Sequence, residues 1–236
     1  TEDKLSHDSE ELRQFVTTLA KLAMEKFTAI DDYSGQFIRQ ERMGKKLNPP
    51  ETIAFKFRKP FDLYMKFVDG PQKNYEILHA RGKYKNQMLV HVAGFANLFL
   101  PTVELDPAGG LAMMNNRHSM LEFGLGYVIE SYYRDLKTAI QYNELSLKYH
   151  GTANVDNRPC WIIEAWLPHE RDTYYCTRSI MYFDQESYVP TKMIFYDWNP
   201  QIKAEELIEQ YTYSNLSFNN GFTDEDFDRN NKEYKF

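Results

Sequence analysis

The chain of 236 residues has little of what defines several large classes of protein. Its two cysteines, Cys160 and Cys176, are too few for a disulfide scaffold and lack the spacing of a metal site. If their segments form a hairpin that turns near 168–172, Cys160 faces a residue near 180–182, so direct pairing is awkward. A bulge or another register would permit a disulfide. No stretch approaches the roughly 20 apolar residues that a membrane-spanning helix needs.

Positive charge is also scarce. The chain has 28 Lys and Arg against 34 Asp and Glu, a formal net charge of −6, and its basic residues are spread along the sequence. Nucleic-acid binding usually needs a concentration of basic residues, so we expect no nucleic-acid partner. The sequence has no nucleophile elbow, zinc-protease, P-loop or dinucleotide-binding motif. We therefore expect no cofactor, metal or catalytic residue, and a binding protein is favoured over an enzyme.

Aromatic residues are abundant instead, with 17 Tyr, 16 Phe and 3 Trp. In residues 52–67 large apolar side chains alternate with polar ones, with one break at 58–60. This period of two is typical of paired antiparallel strands with one apolar face and one wet face. The apolar side chains either fill a core or line a pocket for a hydrophobic ligand. The predicted pocket residues are Phe37, Ile53, Phe55, Phe57, Leu63, Met65, Phe67 and Tyr75.

The rest of the chain predicts strands with two amphipathic helices. Apolar residues at three- and four-residue steps predict a helix over 8–30 and a second helix over 125–141. A final strand is expected at 204–218, with a helical start as an alternative. The acidic tail at 219–236 is expected to pack only through its large aromatic residues, Phe222, Phe227, Tyr234 and Phe236. We see no repeat and no linker, which favours a single domain.

The insertion at 93–141 breaks the strand pattern and begins with an apolar loop at 94–103. Its aromatic and aliphatic side chains include Phe95, Leu98 and Phe99. If the loop is exposed, it marks a contact with a membrane or a partner protein. The alternative is that it folds over the sheet as a lid. In either case we count these three residues among the candidate ligand contacts.

A cluster of polar residues follows this loop. His118 and Glu122 are four residues apart and share a face if the segment is helical, an arrangement that suits general acid–base chemistry. Two ligands make an incomplete zinc site, which His79 or His91 could complete only if the sheet brings them close. The other interpretation is a hydrogen-bonded network with an Arg–Glu pair that fixes the loop. The cluster comprises Asp106, Asn115, Asn116, Arg117, His118 and Glu122.

Several stretches together resemble an uncharacterised bacterial secreted family that is grouped with the LolA/LolB outer-membrane lipoprotein carriers. They are YSGQFIRQER (33–42), FRKPFDLYMKF (57–67), LDPAGGLAMMNNRH with EFGLGYVIE (105–130), FDQESYVPTKMIFYDW (183–198) and EQYTYSNLSFNNGFTDEDFD (209–228). The resemblance covers roughly residues 30–230. It implies an α+β fold with an open, strongly curved antiparallel sheet, a half-barrel with helices packed on its concave face.

The leading hypothesis is a single LolA-like domain over 1–236 that binds a hydrophobic ligand outside the cytoplasm. In the lipoprotein carriers the cavity holds acyl chains, and the resemblance implies a lipid or an acyl chain here. We expect a periplasmic location with the signal peptide removed, transient membrane contact, and an envelope protein as a further candidate partner. The alternatives are a hydrolase that uses His118 and Glu122, and a structural protein of the envelope with a filled interior.

Overall fold

The computed structural model describes residues 8–94, 102–169 and 173–236. Within these ranges it has three α-helices and twelve β-strands. The helices are α1 (Glu10–Thr28), α2 (Gly110–Met113) and α3 (Leu125–Gln141), and the strands are β1 (Asp32–Met43), β2 (Lys46–Leu47), β3 (Glu51–Arg58), β4 (Asp62–Asp69), β5 (Glu76–His79), β6 (Met88–His91), β7 (Thr102–Leu105), β8 (Ser146–Val155), β9 (Arg158–Trp166), β10 (Arg178–Asp184), β11 (Pro190–Asn199) and β12 (Ala204–Phe218).

The strands in the described part of the chain form one antiparallel sheet. Its order is β7-β6-β5-β4-β3-β1-β12-β11-β10-β9-β8, and β2 pairs with β1 off this path. Strands β7 and β8 end the order, so the sheet is open. Short turns join most neighbouring strands, which is how antiparallel sheets are usually connected. An open antiparallel sheet with helices is the α+β fold class that the sequence predicts.

The chain divides into two compact units. The first unit is Thr1–Ala29 with Gly124–Thr212, and the second unit is Ile30–Phe123 with Tyr213–Phe236. The single domain that we expect over 1–236 stays a prediction. Among the described residues, none of the helices combines the length and the apolar character that crossing a membrane requires.

Helix α1 starts the first unit with a conventional cap. The Ser9 side chain accepts a hydrogen bond from the Leu12 N–H at 3.1 Å, and Glu10 lies in the first turn, where the helix dipole favours a negative charge. The apolar stripe predicted for residues 8–30 is buried, and α1 packs against α3 and β8. The helix ends at Thr28, two residues before the predicted end.

In the second unit, β3 and β4 confirm the strand pair predicted from residues 52–67. Ile53 lies opposite Phe67, and Phe57 lies opposite Leu63, so the alternating apolar side chains share one face. The break at 58–60 lies where β3 ends and the turn into β4 begins. The predicted wet face is wrong for β4, because Tyr64 on that face is buried.

The C-terminal segment covers that second face. Phe227 is fully buried in a cluster with Tyr64, Leu78 and Leu89. The Tyr234 ring stacks on the Tyr64 ring, with centroids 3.8 Å apart. The tail packs through its large aromatic residues as predicted, because Phe222, Tyr234 and Phe236 all pack against this cluster. The prediction that it packs only through them is wrong, because Asp226 also forms an ion pair with Lys56.

Several other details of the structure differ from what the sequence predicts. Strand β12 is extended from its first residue, Ala204, which lies opposite Asn199, so the alternative of a helical start is wrong. Strand β7 and helix α2 were not predicted. Cys160 lies opposite Asp184 instead of a residue near 180–182. Both Cys160 and Cys176 are free and buried, and burial raises the pKa of each thiol.

Candidate functional site

The predicted pocket residues lie together on one side of the sheet in the second unit. We call this surface the aromatic face. Its members come from β1, β3 and β4, whose register places Tyr33 opposite Phe57 and Phe37 opposite Ile53. Tyr75, which precedes β5, is half-buried, whereas the other predicted pocket residues are buried. The aromatic face consists of Tyr33, Phe37, Ile53, Phe55, Phe57, Leu63, Met65 and Phe67.

The rings of the aromatic face contact one another edge-to-face or at a tilt. The Tyr33 centroid lies 5.6 Å from that of Phe55 and 5.0 Å from that of Phe57. Phe57 in turn meets the ring of Phe61 at 5.3 Å. Such pairs are worth about 0.5–1.5 kcal/mol each beyond the area that they bury. The rings of the aromatic face therefore form one continuous apolar surface, held together by contacts between neighbouring rings.

Phe123 lies on this surface and was not among the predicted site residues. Its ring centroid is 5.2 Å from those of both Phe37 and Phe55, and 6.2 Å from that of Tyr213. It follows a single 3-10 turn at Met120–Glu122 and is only half-buried. Phe123 is thus a loop residue whose ring occupies the middle of the aromatic face.

Tyr213 is the second residue that sequence reasoning missed. Its ring lies 4.9 Å from that of Phe37 and 5.9 Å from that of Phe55. Alternation along β12, where Tyr211 and Tyr213 are buried and their neighbours are not, could have indicated it. No comparable signal exists for Phe123, because a ring in an irregular loop has no periodicity.

A polar group borders the aromatic face. Arg39 lies 5.7 Å over the Phe67 ring and forms an ion pair with Glu51 at 2.9 Å. The same guanidinium donates a hydrogen bond at 2.7 Å to the side-chain oxygen of Asn116. The Asn116 amide donates to the carbonyl oxygen of Ala112. This network attaches the loop after β7 to strands β1 and β3. Its Arg–Glu pair is Arg39 with Glu51, outside the predicted cluster, so the interpretation of that cluster as a network that fixes the loop stays a prediction.

The structure separates the predicted polar cluster into three local arrangements. Asp106 accepts a hydrogen bond from the Ala108 N–H at 2.9 Å and so caps its own turn. Arg117 donates its backbone N–H to Glu41 and its guanidinium to the carbonyl oxygen of Arg42. His118 and Glu122 form the third arrangement.

His118 Nδ1 and Glu122 Oε2 are 2.8 Å apart, although a 3-10 turn joins them instead of the α-helix that the spacing suggested. Both side chains are partly exposed. The neighbouring Ser119 hydroxyl donates to the Pro107 carbonyl oxygen and accepts from the Leu121 N–H. The Ser119 hydroxyl is thus engaged in the hydrogen bonds of its own turn.

His79 and His91, the other candidate ligands, are buried on β5 and β6. Burial lowers the pKa of His79, which favours its neutral form. Across the described residues, no group of three or more His, Cys, Asp or Glu side chains is placed to hold a metal ion. Phe95, Leu98 and Phe99, the candidate contacts from the apolar loop, lie outside the described residues.

Comparison with known proteins supplies a family and a fold. The model of a family described as "Protein of unknown function (DUF1571)" matches residues 30–236. No curated protein sequence matches the chain. This family match confirms the predicted relationship to an uncharacterised family, and it covers nearly the same residues.

Three solved structures illustrate the fold. LprF from Mycobacterium bovis is 10% identical, with 92% of this chain and 97% of that chain covered and a TM-score of 0.50. The lipoprotein LppX from Mycobacterium tuberculosis is 10% identical, with 91% and 99% covered and a TM-score of 0.49. A LolA superfamily protein from Nitrosomonas europaea is 9% identical, with 90% and 96% covered and a TM-score of 0.39. The predicted α+β class with an open antiparallel sheet is confirmed by the strand order, and the likeness to LprF, at such low identity, shows the fold alone.

Proposed function

Because this chain belongs to the DUF1571 family and has a LolA-like fold, we propose that it is an extracytoplasmic carrier for a hydrophobic ligand. The ligand is a lipid or the acyl chain of a lipoprotein, and the protein performs no chemistry on it. The observation that carries the proposal is the aromatic face, a continuous apolar surface that holds a ring from an irregular loop at its centre.

The physical basis of the proposed binding is that an acyl chain takes the place of the Phe123 ring on the aromatic face. In the described part of the chain the rings of Phe123 and Tyr213 each meet both Phe37 and Phe55, and of these two Tyr213 is buried while Phe123 is half-buried. Departure of the Phe123 ring therefore exposes apolar surface that an acyl chain can cover. Each ligand methylene that is buried contributes roughly 0.8 kcal/mol. Met65 adds an unbranched, polarizable side chain that adapts to ligands of different shape. Binding therefore needs the Phe123 ring to leave the aromatic face, while strands β1, β3 and β4 keep their places.

The remaining ligand contacts belong to the same proposal. Tyr75 and the residues of the aromatic face bind the chain, and the loop at 94–103 acts as the gate. The gate opens, the acyl chain enters, and the gate closes while the carrier moves from donor to acceptor. Carriage of this kind is useful only where a lipid must cross water between membranes, which is why we place the protein outside the cytoplasm. The residues proposed as gate contacts are Phe95, Leu98 and Phe99.

Two neighbouring residues on β4 provide a matched test. Met65 and Tyr64 are each 7% exposed but lie on opposite faces of the sheet, Met65 on the aromatic face and Tyr64 under the C-terminal segment. We expect Met65→Ser to weaken binding of a fluorescently labelled long-chain fatty acid by roughly tenfold, the equivalent of about 1.4 kcal/mol. Tyr64→Ser destabilises the fold but should leave the affinity of the folded protein near that of wild type.

The titration follows probe fluorescence at a temperature where thermal melts show all three proteins to be folded. Equal losses in both variants would mean that affinity follows stability and that the aromatic face is not the site. An unmodified protein that does not bind the probe would contradict the carrier function itself.

The two alternatives each have one observation in their favour. The 2.8 Å contact between His118 and Glu122 supports a hydrolase, but the neighbouring Ser119 hydroxyl is engaged in the hydrogen bonds of its own turn. The mutual contacts of Tyr33, Phe55 and Phe57 support a purely structural interior. The fatty-acid titration separates the second alternative from the carrier, because a filled interior does not bind the probe.

A further inference from the structure

Three large apolar side chains are exposed on one loop of the second unit. Leu111, Met114 and Leu121 are 67%, 64% and 47% exposed, and they lie within eleven residues of one another in the sequence. The loop is folded back on itself, because Ser119 donates to the carbonyl oxygen of Pro107 at 3.1 Å. Single exposed apolar residues are ordinary, whereas several on one folded loop indicate a contact surface.

A basic hairpin lies against the same loop. Strands β1 and β2 form the hairpin, with Lys45 and Lys46 exposed at its tip. Arg117 connects the loop to this hairpin. Its guanidinium donates to the Arg42 carbonyl oxygen at 3.3 Å, and its backbone N–H donates to the Glu41 side chain at 3.2 Å. Within the described ranges neither Lys45 nor Lys46 forms an ion pair.

Three acidic groups of this region are buried or contact a basic side chain, whereas Asp106 is exposed and accepts the backbone N–H of Ala108. Glu51 is buried and paired with Arg39, and Glu122 is paired with His118. Glu41 is buried and accepts the Arg117 N–H. The lysines therefore give the surface a positive charge, in a chain whose formal net charge is −6.

We propose that this surface, formed by Leu111, Met114 and Leu121 with Lys45 and Lys46, docks on an anionic lipid bilayer. The apolar side chains enter the interfacial region, and the lysine ammonium groups contact the phosphate headgroups. A protein partner fits less well, because lysine is depleted in protein–protein interfaces while juxtamembrane lysines favour anionic lipid. The inference goes beyond ligand binding on the aromatic face and does not depend on it.

Flotation with lipid vesicles tests the proposal on the full chain. One set of vesicles is phosphatidylcholine alone, and the other is an equal mixture of phosphatidylcholine and phosphatidylglycerol. We expect wild-type protein to float with the anionic vesicles and to be released by salt, which screens the lysine–phosphate attraction. Zwitterionic vesicles should bind it much more weakly.

Three variants separate the contributions. Lys45→Gln with Lys46→Gln should weaken binding roughly thirtyfold, at about 1 kcal/mol for each charge. Leu111→Ser, Met114→Ser and Leu121→Ser together should weaken binding on the order of a hundredfold. The matched control is Ile202→Ser with Lys203→Gln, which changes an exposed apolar residue and an exposed lysine in the turn between β11 and β12 and should bind as wild type does.

The proposal is overturned if wild-type protein floats with neither kind of vesicle, or if the control variant loses as much binding as the others. A thermal melt of each variant shows whether it is folded, so that an unfolded variant is not mistaken for one that has lost membrane binding. Failure of the carrier function is a separate result: Met65→Ser, which lies on the aromatic face, should still float with the anionic vesicles, whether or not the wild-type protein binds the fatty-acid probe.

Discussion

Asp184, at the end of β10, is a fully buried carboxylate that fixes the following turn. The Arg158 guanidinium donates to it twice, at 2.7 and 2.8 Å, and Ser187 donates both its N–H, at 2.6 Å, and its hydroxyl, at 2.7 Å. Burial on its own would raise the pKa of Asp184, but these donors outweigh burial and lower it to about 2. Residues 184–190 have the pattern Asp-x-Glu-x-x-x-Pro, and the structure gives a reason for its first residue. The Asp184 carboxylate stabilises the turn after β10, and β11 begins at Pro190 directly after that turn.

We expect Asp184→Asn to lower the free energy of unfolding at pH 7 by about 2 kcal/mol, the equivalent of moving its pKa from the ordinary 3.8 to about 2. The folded-state pKa is the lower one, so this stabilisation is complete above about pH 5 and is lost as the pH falls towards 2. Urea unfolding of wild type and variant at pH 7 and pH 3 measures it. The difference between the two proteins should shrink at the lower pH.

Glu186→Gln is the control for this experiment. Glu186 contacts the same Arg158 at 3.3 Å, but its side chain is 88% exposed and water screens the interaction. Its replacement should change the free energy of unfolding by less than about 0.5 kcal/mol. A similar loss in both variants, or one that does not depend on pH, would contradict this account of Asp184.

At the scale of elements, the C-terminal segment acts as a second layer on the sheet of the second unit. Its aromatic residues cover Tyr64, Leu78 and Leu89, and ion pairs hold it along its length, among them Lys56 with Asp226 at 3.0 Å. The Asp32 carboxylate anchors its start by accepting backbone N–H groups of residues 220–222. An irregular segment is therefore part of the folded core.

Phe227→Ala should cost about 3–5 kcal/mol of stability, because it removes a fully buried aromatic ring from a packed cluster. Chemical unfolding measures this cost, and Lys232→Ala, an exposed position in the same segment, should leave the stability unchanged. If the two variants unfold at the same denaturant concentration, the segment does not contribute to the core as the contacts indicate.

The sequence predicts elements well where a local signal exists. The predicted second helix, at 125–141, has the same first and last residues as α3. The strand pair predicted at 52–67 has the predicted apolar side chains on one shared face. The sequence predicts that the tail packs through its aromatic residues, but not that it covers the opposite face of β4. Contacts between residues as far apart in sequence as Tyr64 and Tyr234 leave no periodic signal.

Strands β9 and β10 show a different limit. Both are apolar on each side, so alternation gives no contrast from which to choose the inner face. In the structure Ile163 and Met181 lie opposite each other and are buried, whereas Ile162 and Ile180 are half-buried. Phe123 could not be predicted for another reason. The predicted site consists of residues that alternate along strands, and Phe123 lies in a loop, where no such alternation exists.

At the scale of the whole molecule, the proposed binding role depends on two surfaces of the second unit. The aromatic face is proposed to hold an apolar ligand, and the loop with Leu111, Met114 and Leu121 is proposed to contact the bilayer. The two roles suit each other, because a carrier of lipid must meet a membrane at each end of its path. They are nevertheless tested separately, by fatty-acid titration and by vesicle flotation.

The central claim is that the protein binds an aliphatic ligand, and native mass spectrometry tests it most directly. The full chain is purified without detergent from the envelope of the cells that make it, and the same sample is extracted with organic solvent. We predict a species heavier than the polypeptide by the mass of a lipid, together with that lipid in the extract. A spectrum with the bare polypeptide mass only, and an extract free of lipid, would contradict the claim.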